Sequence, residues 1–403
     1  MADRSSPRSV LGALTGGLVR APELRTDDER SASRLELFFD LAFVLVVAEL
    51  AIDFRADVTW HGELVFAGLF TTVWWAWVGS TLYANRFDHD DVVYRLLKLG
   101  SMAAVVGMAA TATEATGAYF GIFVGCQLVL RAMLLLQYLR AYRHVPGARP
   151  IARLYMTGTA VGALLWAVSL AVPRPIGFAL WAAAVLVEVL VPLLATRSSA
   201  DVPLHVEHLP ERFALFVILV LGESVAGIAH GLHDAHWTGS GLLVAALGFV
   251  LAAALWWSYF DLAGARAKQL LSEVGGERSD HAHDVYVFGQ LPLTLALATV
   301  GAGLELAVVQ SGEGEVPTGT RLVLAGGVVV YLLSVSFTEA GMSKKGARRG
   351  LWWPVVAAAV AAVDVALELP AAVVVGGLAA VVMAVVVVGL VERSTGRVAV
   401  EEV

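Results

Sequence analysis

Several ionisable residues stand inside apolar runs, where a charge costs about 2.5–3.5 kcal/mol on insertion scales and needs a reason. Arg34, Glu36 and Asp40 open one such run. Glu36 and Asp40 are four residues apart and share a helix face. They read as carboxylates paired to Arg34 or to a neighbouring helix, or as part of an ion or proton path. Glu211 and Arg212 open a second run just after Pro210, a helix-start signal. Glu223 follows within it, flanked by Gly222 and Ser224. Eleven helical steps bring Glu223 within about 20° of Arg212 and roughly 16 Å deeper, near a bilayer midplane. A carboxyl hydrogen-bonded to another helix is the structural alternative. Arg131 and Glu188 each lie in a further apolar run and could pair with Glu223 or Asp40. Such a set suits the movement of an ion or proton.

Other candidates carry less chemistry. His230-x-x-His233-Asp234-x-His236 has a spacing that suits zinc only if a helix continues through it, so a solvated loop is the plainer reading. Asp280-His281-Ala-His283-Asp284 is read the same way, on the cytoplasmic side. Glu49, Asp53, Glu114, Glu305, Asp364 and Glu368 fall near outer helix ends, where solvation accounts for them. There is no Walker A, GxSxG, HExxH or Rossmann glycine set, so no catalytic residues are assigned and an enzyme or ATP-driven pump is not expected. Neither a metal nor a cofactor is called for. The single cysteine, Cys126, excludes an internal disulfide and any multi-Cys metal site. Trp60, Trp237, Trp352 and Trp353 read as interfacial belt residues; Trp74, Trp75 and Trp77 read as belt or packing.

The elements that must hold these residues are membrane helices. Of 403 residues, 58% are hydrophobic and 16% charged, against roughly 25% charged in a soluble domain. Mean hydropathy is +0.73. The net charge of −7 offers nothing to nucleic acid. The lipid bilayer is the implied partner. Apolar stretches of membrane-spanning length predict about twelve helices, near 35–53, 62–84, 92–113, 118–141, 151–172, 176–195, 212–230, 240–262, 284–308, 320–340, 351–368 and 371–391. Residues 1–33 are Arg-rich and lack an apolar run of signal-peptide length. They read as a mobile, soluble tail.

Lys and Arg alternate from loop to loop. They crowd the tail and the loops after the second, fourth, sixth, eighth and tenth runs, with Arg393 and Arg397 after the last. The intervening loops hold little beyond Arg55 and Arg174. The positive-inside rule then predicts both termini to be cytoplasmic.

The two halves echo each other in order. Arg34-Leu-Glu-Leu-Phe38 resembles Arg212-Phe-Ala-Leu-Phe216, and Asp57-x-x-Trp60 resembles Asp234-x-x-Trp237. Trp74-Trp75 is echoed by Trp256-Trp257, Asp91-Val-Val-Tyr94 by Asp284-Val-Tyr286, and Glu114 by Glu305. The expected fold class is an all-α polytopic bundle of two parallel six-helix repeats, because an even helix number brings each repeat in from the same side. The expected divisions are a tail at 1–33, repeats at 34–200 and 201–392, and a cytoplasmic tail at 393–403.

Two stretches are specific enough to suggest a family. Glu36-Leu-Phe-Phe-Asp40-Leu-Ala-Phe-Val44 is similar to the first-helix signature of the bacterial low temperature requirement protein A family. Glu211-Arg212-Phe-Ala-Leu-Phe216-Val-Ile-Leu-Val-Leu-Gly222-Glu223-Ser224 resembles its second signature. The resemblance implies a multi-pass bacterial inner-membrane protein linked by name to growth in the cold, and no particular substrate. Arg34-x-x-x-Phe38-Phe39-Asp40 is also similar to the Arg-x-x-x-Phe-Ser-Asp motif of a potassium-channel family with six-helix repeats. Phe39 stands where that family has Ser, and Ile218 stands where the second half would need Asp.

Three functions remain open. One is a secondary transporter or permease for an unknown small solute or ion, proton-coupled through Glu223 or Asp40. The others are a cation channel and a non-transporting membrane protein that supports growth in the cold. Assembly as a homo-oligomer is left open as well.

Overall fold

The computed structural model describes residues 20–24, 33–88, 91–198, 208–273, 277–312, 314–343 and 352–395. Among the described residues the chain is all-α apart from two short strands, β1 (Glu23–Leu24) and β2 (Phe87–Asp88), which pair antiparallel. The helices are α1 (Arg34–Ala56), α2 (Trp60–Arg86), α3 (Val92–Ala109), α4 (Phe120–His144), α5 (Arg149–Ser169), α6 (Arg174–Ser198) and α7 (His208–Asp234). Next come α8 (Gly239–Trp257), a π-helical turn (Ser258–Gly264) and α9 (Ala265–Glu273), which run on as one rod. The last four are α10 (Glu277–Val309), α11 (Thr318–Met342), α12 (Trp352–Leu367) and α13 (Ala371–Ser394). Each of the twelve expected runs is thus occupied by a helix or by that rod.

Among the described residues, ten spans are long and apolar enough to cross a membrane. The exceptions have simple causes. Helix α1 has 23 residues, about 35 Å at 1.5 Å per residue, but carries Arg34, Glu36, Asp40, Glu49, Asp53 and Arg55. Helix α12 has 16 residues, about 24 Å, against a hydrocarbon core of about 30 Å.

Local chemistry sets several helix starts. Ser33 and Glu36 form a reciprocal capping box on α1: the Ser33 amide donates to Glu36 Oε2 at 3.0 Å and the Glu36 amide to Ser33 Oγ at 3.3 Å. Asp91 caps α3 by accepting from the Tyr94 amide at 3.0 Å. Thr238 caps α8 through the Gly241 amide at 3.2 Å. One start differs from expectation. Helix α10 begins at Glu277 rather than near residue 284, so Asp280–Asp284 is helix and not a solvated loop, and His283 is buried.

Two compact units divide the chain. The first comprises Met1–Phe43 with Trp75–Leu209, the second Val44–Trp74 with Pro210–Val403. In the first, α3 packs on α4, α4 on α5 and α5 on α6. Gly158 and Gly162 bring α5 close to α6: a Cβ at Gly158 would overlap Val191, and one at Gly162 would overlap the Glu188 carboxylate. Aromatic rings fill both ends of this unit. Phe120, Trp166 and Trp181 stack at one, with centroids 4.7 and 4.9 Å apart; Tyr83, Tyr138 and Tyr155 pack at the other, 4.8 and 5.0 Å apart. At the tyrosine end Arg140 holds Asp91 at 2.8 Å and the Arg20 carbonyl at 2.8 Å.

In the second unit α10 packs along α11, α11 on α12, and α8 on α13. Helix α7 meets α10 through small residues. A Cβ at Gly301 would stand 2.7 Å from Ser224 Oγ, and one at Gly231 would stand 2.8 Å from the Glu305 carbonyl. The π turn is locked from α11: the Tyr331 hydroxyl lies 2.7 Å from Ser258 Oγ and donates to the Leu255 carbonyl at 3.2 Å.

Candidate functional site

The densest intramembrane chemistry lies inside the first unit. Arg131, near the middle of α4, grips Glu188, near the middle of α6. Its Nε donates to Oε1 at 2.7 Å and its Nη2 to Oε2 at 2.9 Å, a two-pronged charge-assisted clamp. The guanidinium is fixed on its other edges. Nη1 donates to Gln127 Oε1 at 2.7 Å, and the group lies 4.9 Å from the Trp166 ring centroid. Glu188 fits because Gly162 has no side chain. Pro192, four residues on, has no N–H, so the Glu188 carbonyl loses its in-helix donor.

Beside this pair is a cavity of about 40 Å³. A water needs about 10–15 Å³ of such space, so there is room for a few waters and not for a metabolite. Its lining includes Trp75, Ser80, Gln137, Thr159, Arg131 and Glu188. Gln137 is 1% exposed, and neither atom of its carboxamide has a hydrogen-bond partner among the described residues. Two further cations border the lining. Lys98 is 1% exposed; its ammonium donates to Ser80 Oγ and sits 4.1 Å from the Phe39 ring centroid. Arg86 donates to the Tyr155 hydroxyl at 3.1 Å and lies 5.0 Å from that ring's centroid.

The residues chosen from sequence fall into distinct settings. Arg131 and Glu188 pair with each other, not with Glu223 or Asp40. Asp40 is 1% exposed and accepts from Trp77 Nε1 at 2.8 Å. Glu36 serves the α1 capping box, and Arg34 is exposed. In the second unit, Glu211 is exposed and Arg212 is buried next to Phe213, whose ring packs against Tyr286 at 5.7 Å. Ser224 is buried against Gly301, and Gly222 faces open space. Glu223 is half-buried, with Arg55, His230 and Glu49 as its charged neighbours.

Sequence reading missed some of this. The charge alternation puts Arg86 in the loop after the second run and Lys98 at the opening of the third, on the cytoplasmic side; both are buried in the unit. Glu305, expected at a solvated outer helix end, is 8% exposed and paired with Arg55 at 3.1 Å. A signal existed in two places. Gly158-x-x-x-Gly162 on α5 makes the groove that admits Glu188, and Gly227-x-x-x-Gly231 on α7 faces Glu305. Gln127 and Gln137 had none, because a lone amide in an apolar run has no spacing to read.

The sequence matches the family described as bacterial low temperature requirement A protein (LtrA) over residues 31–388. The chain belongs to the LtrA family. The match runs from the head of α1 into α13, so it takes in every helix up to α12 and most of α13. The chain is also 27% identical over 294 residues to an uncharacterized protein of Rhizobium meliloti (strain 1021), covering 70% of this chain and 71% of that one. The two LtrA-like stretches serve packing as well as charge. Phe39 and Phe43 meet edge-on at 5.1 Å on α1, and Phe213, Phe216 and Val217 are buried on α7. This LtrA-family chain is an integral membrane protein with many apolar helices.

Proposed function

We propose that the protein is a secondary transporter or permease for a small solute or ion, driven by protons through buried carboxylates. One observation carries the reading: charged and amide side chains from separate apolar helices converge on an interior cavity in the first unit. Burying so many polar groups in a membrane is costly, and groups of this kind mark ion and proton paths. The proposal includes a bacterial inner-membrane location, both termini in the cytoplasm, and descent from two parallel six-helix repeats at 34–200 and 201–392. The first-helix motif does not by itself favour a pore, since Asp40 is occupied by Trp77 and Phe39 by Lys98.

The test is flux in proteoliposomes holding purified protein. Solute or ion uptake should follow an imposed pH gradient. Glu223 is the intramembrane carboxylate of the second unit nearest the middle of its helix, so Glu223→Gln should fold and lose gradient-driven uptake. Glu368→Gln, at an exposed turn, should transport as wild type. Unitary currents in planar bilayers would replace the carrier with a channel, and no flux for any solute class would remove the transport reading.

A further inference from the structure

The geometry points to a hydrated proton-binding site in the first unit: Glu188 takes up and releases the proton, and waters held in the adjacent cavity by Gln137, Ser80 and Thr159 deliver it. The inference rests on the transporter reading for its purpose, but not for its chemistry.

Three features carry it. The Gln137 carboxamide is buried on the cavity wall with neither atom partnered among the described residues. A buried amide in that state calls for water, and water is what a cavity of about 40 Å³ admits. Glu188 is the carboxylate on that wall, so the waters reach a group that can change its charge. Arg131 is also built to survive the change. If Oε2 accepts the excess proton of a hydronium in the cavity, leaving a neutral water, the Nη2 bond is broken, while the Gln127 bond and the Trp166 stack keep the guanidinium in place. The proton returns to water when the clamp re-forms, and one positive charge is gained and lost per cycle.

Three cations stand around the cavity. Arg131 of α4 holds the carboxylate directly. Lys98 of α3 donates to Ser80 of α2, and Arg86 of α2 to Tyr155 of α5, both on the lining. An opposite charge in contact favours the ionised carboxylate, so a structural change that parts Arg131 from Glu188 drives uptake, and its return drives release.

Infrared difference spectroscopy on the purified chain in lipid, between high and low pH, reads the site without any transported solute. We expect a protonated-carboxyl stretch that titrates, shifts in D₂O, is lost in Glu188→Gln and remains in Glu223→Gln. Gln137→Leu should slow the hydrogen–deuterium exchange of that band. Because Glu188→Gln leaves Arg131 without its anion, at a cost to folding, the paired variant Arg131→Met with Glu188→Met, apolar and similar in bulk, repeats the measurement. A band that persists in either variant, or exchange unchanged by Gln137→Leu, overturns the site. In proteoliposomes Glu188→Gln should lose the pH-gradient response and keep solute counterflow. A titrating Glu188 band in a protein that moves nothing leaves the site standing and removes the transporter. Proton-coupled transport unaffected by Glu188→Gln removes the site and leaves the transporter.

Discussion

Asp91 joins three segments through one carboxylate. It caps α3, binds Arg140 at the end of α4, and sits beside Arg20, whose carbonyl Arg140 also holds. Burial pushes this carboxyl up, but the Arg140 hydrogen bonds and charge, the Tyr94 amide and the Arg20 backbone outweigh it and hold it below the usual carboxylate range. A group depressed in the folded state contributes stability above its unfolded value, and that stability is lost as pH falls through the folded one. Asp91→Asn keeps a good N-cap and removes the charge. It should lower the thermal midpoint in detergent at neutral pH and converge with wild type in strong acid, whereas Asp91→Ala should lose about 1 kcal/mol more from the cap. A constant difference between Asp91→Asn and wild type across that range would show that the charge contributes nothing.

Helix α5 shows how an element positions a charge it does not carry. Its Gly158 and Gly162 faces admit Val191 and Glu188 from α6, so the ion pair depends on two missing side chains. Gly162→Ala should overpack the contact by about 1–3 kcal/mol and displace the carboxylate from Arg131. Its thermal midpoint should fall, and Gly125→Ala, where a Cβ meets open space, should change little; equal midpoints would refute the steric account. At the other end of the chain, the turn between α12 and α13 places Glu368 at φ 52°. A left-handed residue other than glycine costs about 1–2 kcal/mol. Glu368→Gly should therefore raise the midpoint by on the order of 1 kcal/mol, and Glu368→Ala should not.

Across the whole chain, the charge alternation makes a topological claim. It requires the N-terminal tail, the loop after α2 and the loop after α4 to share one side of the membrane. Within the first unit, the β1–β2 pair and the Arg20–Arg140–Asp91 contacts join those same three segments. Reporter fusions to the tail and after Arg393 should both read cytoplasmic; an external reading at either end would break the proposed orientation.

The sequence by itself determined the class of the molecule and the ladder of helices. Both follow from local properties: length, apolarity and Lys/Arg placement are enough to say where a chain must cross a bilayer. It also singled out Arg131 and Glu188 as intramembrane charges, because a charge in an apolar run is anomalous wherever its partner lies. Tertiary structure decided the partners. Arg131 and Glu188 are separated by 57 residues, and nothing in either segment encodes the distance between them. Whether Lys98 and Arg86 were loop charges or interior ones depended on which face of α2 and α3 met Phe39 and Tyr155. Helix α10 reached back to Glu277 and buried His283, which hydropathy could not foresee because the added turns are polar. The cavity itself is a property of how α2, α4, α5 and α6 fail to fill the space around Gln137, and such a space exists only once the helices are packed.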